Sequence, residues 1–328
     1  MTGAGVSGVS MSQPDLVATS APLLSAAASI AELWRDNDAG GGFLARNIDT
    51  GEQLGFDVDE AIPTASLAKV PLALAVLDAI DSGELDAAQA MRIDPPESYT
   101  GGTGLGTFRY PVTIAVGDLV TQALTVSDNI AADTLLDLIG IDGMNARLRA
   151  WRARHILFRH DFKRMFECAL GAAGNDFGLA MELAIQGDRP GQVHAIETMN
   201  PEQANVATAA SLVDLLQRIW TDDIATPAAT AGVRERMSKQ VFQHRLSSDL
   251  RTDGFRISAK TGSFLNLRHE IGVVETDVGF GSGAGVGFGG GARIAIAALS
   301  RASVPALVHQ GVDLAIGAAA RIAVEALR

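Results

Sequence analysis

Apolar side chains along residues 66–83, "SLAKVPLALAVLDAIDSG", fall at helical spacing and stop at Gly83. The same period recurs over 115–125, 129–139 and 207–220, with Gly140 as a C-terminal stop after the second of these. Residues 15–34 and 303–327 read as terminal helices, the first amphipathic and the second long and apolar. A different texture marks "FRISAKTG", "EIGVVET" and "ARIAIAALS", rich in β-branched and apolar residues at strand lengths. Residues 41–56 predict a hairpin turned at Asp49-Thr50-Gly51-Glu52, where Gly51 is free to take positive φ. Between the last two strands lies 279–291, eight of thirteen residues being glycine, which predicts a flexible hairpin tip.

The region 145–200 is the least periodic. It begins Arg-rich at "ARLRAWRAR" and then carries two short helical patterns around "FKRMFECAL" and "FGLAMELAI". The order is thus a hairpin, a helical block, three strands and a final helix. If hairpin and strands share one sheet, both ends of the chain build it and the helical block is an insertion. The expected fold is α/β (α+β), an antiparallel five-stranded sheet flanked by terminal helices, with an inserted all-α lobe. The expected boundaries are a disordered 1–14, a sheet lobe from 15–65 and 230–328, and a helical lobe over 66–229. A cleft where two lobes meet is the expected ligand site.

Composition narrows the function classes. The chain has 328 residues, 47% hydrophobic, with net charge −12; its pI is 4.9 and its mean hydropathy +0.18. That charge has the wrong sign for a nucleic-acid partner. No uncharged run reaches membrane-spanning length, so no membrane partner is expected. The first positive side chain is Arg35, after the first apolar stretch rather than before it, which does not fit a secretory leader. The expectation is a cytoplasmic protein. Cys168 is the single cysteine, so no disulfide or thiolate metal site is expected within the chain. The six histidines lack metal spacing, and "RHEIG" lacks the second histidine of a zinc-protease helix. The G-x-G-x-x-G match over 285–290 precedes a strand rather than a helix, and no G-x-S-x-G elbow occurs. Neither metal nor cofactor is expected.

Ser66 and Lys69 sit one helical turn apart. A serine hydroxyl is a poor nucleophile until a base takes its proton, and a desolvated lysine can be that base. A helix start adds N–H groups suited to a developing oxyanion. Such pairs are common, and the bland alternative is a capping serine beside a solvated lysine. Composition favours the chemical reading. Only four lysines occur, at 69, 163, 239 and 260, against twenty-two arginines, and arginine cannot deprotonate. Ser127-Asp128-Asn129 lies between two helices, where it could be only a cap. Lys260-Thr261-Gly262 closes a strand, where the lysine could simply be solvated. Each motif is weak alone. The set of three, in this order and on these elements, is specific.

These motifs resemble those of the penicillin-binding protein and β-lactamase superfamily, and within it the class A β-lactamases. "GTGLGTF", "ANVATAASLVDLL" and "LRHEIGVV" also look like segments of that family, so the resemblance covers about residues 40–327. It implies that Ser66 is acylated, that Lys69 accepts its proton and that Ser127 passes a proton to the leaving group. Asn129 would orient substrate and lysine. Lys260 and Thr261 would hold a carboxylate on a small-molecule substrate, Gly262 would let the substrate approach the strand, and the N–H groups of Ser66 and Ser263 would form the oxyanion hole. Arg268 and His269 would border the cleft, His269 as a packed polar residue.

One part of the pattern is missing. Class A enzymes use a glutamate in a Glu-x-x-Leu-Asn loop to activate the deacylating water. Glu167, Glu182 and Glu197 are the nearest candidates, none in that pattern, and the 145–200 region is longer than the family's loop. The expectation is therefore an active-site serine hydrolase acting on β-lactams or a related amide or ester. Two alternatives stand beside it: a cytoplasmic acyltransferase or esterase of specialised metabolism, and a non-catalytic ligand-binding version of the fold.

Overall fold

The computed structural model describes residues 13–95, 101–276, 291–305 and 310–328. Its strands are β1 (Leu16–Ala18), β2 (Ala39–Gly40), β3 (Phe43–Asn47), β4 (Gln53–Phe56), β5 (Ile62–Pro63), β6 (Ala90–Ile93), β7 (Val112–Ala115), β8 (Val206–Ala207), β9 (Arg256–Phe264), β10 (Leu267–Glu275) and β11 (Arg293–Ala302). Its helices are α1 (Ala21–Asp36), α2 (Lys69–Asp81), α3 (Val116–Thr125), α4 (Asn129–Ile139), α5 (Ile141–Ala150), α6 (Phe162–Ala172), α7 (Phe177–Gly187), α8 (Ala209–Trp220), α9 (Pro227–Met237) and α10 (Gly311–Leu327).

The main sheet runs β1-β4-β3-β11-β10-β9, antiparallel throughout, with β2 also on β11. It is therefore seven-stranded, not five. The extra edge comes from the expected 15–34 helix, whose first residues instead pair with β4, Val17 opposite Gly55. The helix starts later, with Pro in its first turn, where proline's missing N–H costs nothing. At the other end β11 continues to Ala302, so α10 begins after the expected position of 303. The β3–β4 turn forms as expected, with Gly51 at φ 79° and Asn47 Oδ1 accepting from the N–H groups of Asp49 and Thr50. The glycine-rich 277–290 part of the expected tip and residues 1–12 lie outside the described residues.

Strand alternation divides the core. Along β11, Ile294, Ile296 and Ala298 face α1 and α10, while Ala295, Ala297 and Leu299 face α8 and the helical block. Burial on both faces is why the strand reads as a continuous apolar run. Helix α2 is buried on nearly every side, from Val70 through Ala79, and packs against α3, α4 and α9. That packing fixes the start of α2 at the junction of sheet and helices. No helix among the described residues is long and apolar enough to cross a membrane.

Candidate active site

Ser66 sits in a 3-10 turn, Ala65–Ala68, that feeds directly into α2 at Lys69. The turn is entered from β5, which pairs with β8. Ala65 is held at φ 45° and Ser127 at φ 60°. Positive φ in these non-glycine residues costs of order 1 kcal/mol or more each. The second strained residue projects its hydroxyl between two lysines.

Lys69 is fully buried. Its Nζ lies 2.6 Å from Asn129 Oδ1, 2.7 Å from Ser127 O, 3.2 Å from Ser66 Oγ and 3.3 Å from Ser127 Oγ. The two carbonyl oxygens can only accept. In a neutral amine they take both N–H groups and leave the lone pair toward the serine hydroxyls. Burial drives the Lys69 pKa down to about 7, against the opposing pull of Asp133 and Asp128. Lys260, also fully buried, donates to Ser127 Oγ at 3.0 Å and to Thr261 O at 2.8 Å. Its own pKa is pushed well below the ordinary lysine value by burial and then by Lys69. The hydroxyl of Ser127 thus bridges the two amines.

Asp128 builds the platform beneath. It caps α4 by accepting from Ala131 N and accepts from Leu105 N at 2.6 Å, which ties the "GTGLGTF" segment to the site. Gly262 allows a close approach within the protein itself. A Cβ there would meet Thr64 O and Leu67 Cγ at 3.0 Å and His269 Cβ at 3.3 Å, so this glycine lets β9 pack on the Ser66 turn. Gly262→Ala is expected to cost about 1–3 kcal/mol by overpacking and to slow acylation of Ser66. Thermal unfolding and the rate of adduct formation check it; a variant unchanged in both would contradict the contact.

The three candidate glutamates do not converge on this centre. Glu167 is exposed and paired with Lys163, Glu197 is exposed and paired with Arg164, and Glu182 is exposed on α7. The group over Lys69 is an aromatic ring: Phe162, fully buried at the start of α6, lies with its centroid 4.7 Å from Lys69 Nζ. Asp133 holds that helix start, accepting from Phe162 N at 2.7 Å and Lys163 N at 2.9 Å. Its pKa is raised to about 7, chiefly by burial. Neither residue stood out in the sequence. Phe162 is one apolar position among many, and Asp133 is a polar position within an apolar helical stretch.

His269 is a packed, neutral residue. Its Nδ1 accepts from Ser300 N at 2.9 Å and its Nε2 faces Pro63 O at 3.0 Å, and burial lowers its pKa to about 3. Arg268 bonds the carbonyls of Leu265 and Leu267. Ser263 is exposed, and its hydroxyl accepts from Arg245 at 2.6 Å. Among the described residues no group of three His, Cys, Asp or Glu side chains could hold a metal ion.

A serine, two buried amines and a bridging hydroxyl, set between an antiparallel sheet and a helical block, define a serine β-lactamase-like hydrolase. The chain belongs to the β-lactamase enzyme family (Beta-lactamase2), whose pattern matches residues 25–322. It is 39% identical over 248 residues to the "Beta-lactamase regulatory protein BlaB" of Streptomyces cacaoi, covering 72% of this chain and 80% of that one. In fold it resembles a β-lactamase from Sphaerobacter thermophilus, with TM-score 0.68, 21% identity and coverage of 92% and 96% of the two chains. It also resembles a point mutant of PBP-A, solved as its acyl-enzyme complex with penicillin G, with TM-score 0.66, 19% identity and coverage of 92% and 96%.

Proposed function

We propose that the protein forms an acyl-enzyme on Ser66 with a β-lactam or a related small amide or ester, and releases the acyl group slowly. Lys69 takes the serine proton, Ser127 carries a proton to the leaving group, and Asn129 orients the amine. The N–H groups of Ser66 and Ser263 receive the developing oxyanion, each worth roughly 3 kcal/mol. The observation that carries this reading is the surroundings of Lys69: two carbonyls accept from its amine, which when neutral has its lone pair left for the hydroxyls of Ser66 and Ser127 at 3.2 and 3.3 Å, and Phe162 rather than a carboxylate stands over it. Acylation needs only the amine. Deacylation needs a second base to hold a water, and Phe162 offers none.

The depressed pKa gives this reading a pH signature. Lys69 acts as a base only when neutral, so acylation falls with pH below the pKa of about 7 and levels off above it. The expected profile rises about tenfold per pH unit below that point. Measuring the rate of adduct formation between pH 5 and 9 tests it; a flat profile, or one that falls with rising pH, would contradict Lys69 as the base.

A long-lived covalent adduct also suits a sensor that reports on its ligand. The name of the Streptomyces cacaoi relative, a β-lactamase regulatory protein, supports that use of the same site.

A further inference from the structure

Side chains alternate along a strand, so Lys260, Gly262 and Phe264 share one face of β9, and Phe264 is buried there. The turn that follows fixes its place. Leu265 takes φ 47°, and the fully buried Asn266 donates to Asp188 Oδ2 at 2.6 Å and to Ala302 O at 3.1 Å. Across the cleft, Phe162 and Phe166 lie one turn apart on α6 and so share a face of it. The half-buried ring of Phe166 meets that of Phe264 edge to face, with centroids 5.3 Å apart and planes at 76°. A Cβ on Gly101 would lie 2.8 Å from Asn129 Nδ2 and 3.7 Å from Phe166 Cζ, so the tip of this ring and the Asn129 amide border one small space. The other end of that amide, Oδ1, is bonded to Lys69. The two rings therefore close the gap between α6 and β9 on the Asn129 side of the site.

We infer that Phe166 and Phe264 are specificity-determining residues: they shape the acyl side of the cleft into a narrow aromatic corner, so that Ser66 takes acyl groups ending in a flat apolar ring and refuses those ending in a globular one. The inference rests on acylation of Ser66 and concerns the part of the donor that stays on the protein. The acyl carbon carries three substituents besides Ser66 Oγ. Its oxygen goes to the N–H groups of Ser66 and Ser263, and its leaving group to Ser127, which Lys260 holds at 3.0 Å. The acyl chain takes the remaining direction, past Asn129 and toward α6. Two rings nearly at right angles present a face and an edge there, and a third flat ring can meet both in the arrangements that aromatic pairs prefer. A globular group fits only by parting the rings. Neither ring moves freely, since Phe264 precedes the turn anchored by Asn266, and Phe166 rides on a helix whose first turn Asp133 holds.

The test is a competition between the 4-nitrophenyl esters of 3-phenylpropanoic acid and 3-(1-adamantyl)propanoic acid. Their leaving groups are identical and their acyl masses differ, so intact-protein mass spectrometry reads the ratio of the two adducts from one mixture. Dividing by the ratio of the rates at which hydroxide cleaves the two esters removes their own reactivity. The wild-type protein is expected to favour the phenyl ester about tenfold after this correction. Phe166→Ala and Phe264→Ala each open the corner and are each expected to bring the corrected ratio to within about twofold of unity. A fold defect slows both esters alike and does not move the ratio. A corrected ratio near unity in the wild type, a preference for the adamantyl ester, or a preference that survives either substitution would overturn the inference. An adduct with neither ester would overturn the Ser66 reading itself, and this inference with it.

Discussion

Replacing Ser66 with alanine is expected to abolish covalent labelling. Loss of a catalytic serine costs roughly a millionfold where it acts as one unit with its base. The geometry explains why no substitute is available. The Lys69 amine lies 3.2 Å from Ser66 Oγ, with two carbonyls as its closest partners. Ser127, the other hydroxyl it reaches, is clasped between Lys69 and Lys260 at 3.3 and 3.0 Å. The substitution removes one oxygen from a side chain that packs against the turn, so the fold is expected to persist with an unchanged melting temperature. Intact mass after exposure to an acyl donor is the readout. An adduct of equal yield on Ser66→Ala would place the nucleophile elsewhere.

The second large effect is expected at Phe162. Phe162→Glu replaces the ring 4.7 Å from Lys69 Nζ with a carboxylate, a group able to activate water. The N-terminal turn of α6 that carries it is held by Asp133 through the N–H groups of residues 162 and 163. A general base contributes about 10²–10⁴-fold, so the half-life of the adduct is expected to shorten by at least a hundredfold. The new negative charge also favours protonated Lys69 and moves the acylation profile to higher pH. Both shifts are read from one set of time courses at several pH values. Faster acyl release without the pH shift would mean that the glutamate does not face the lysine. An unchanged half-life would show that the aromatic ring is not what slows release.

The nearness of the three motifs was legible because each is short and sits at the end of an element. A helix start, an interhelical corner and a strand end are marked by local spacing, and the sheet built from both chain ends brings them together. The edge of the sheet was not legible. Leu16–Ala18 has the composition of an amphipathic helix start, and only the unpaired edge of β4 makes it a strand. Phe162 was hidden for a related reason. Its position over Lys69 depends on Asp133 holding the first turn of α6, a contact 29 residues distant in sequence. Gln240, whose Nε2 donates to the buried Glu270 Oε1 at 2.9 Å behind β9, had no sequence signal either, because a buried amide–carboxylate pair has no periodic signature. Glu167, Glu182 and Glu197, between the second and third motifs, are all exposed.

The central claim is that Ser66 forms a long-lived acyl-enzyme. Its most direct test is intact-protein mass spectrometry over time, mixing wild type and Ser66→Ala with benzylpenicillin and, separately, with a neutral aryl ester. The account predicts an adduct on wild type only, persisting for many times the period needed to form it. An adduct that vanishes as fast as it forms, with product accumulating, would contradict slow release. The absence of any adduct or product with both donors would contradict acylation of Ser66.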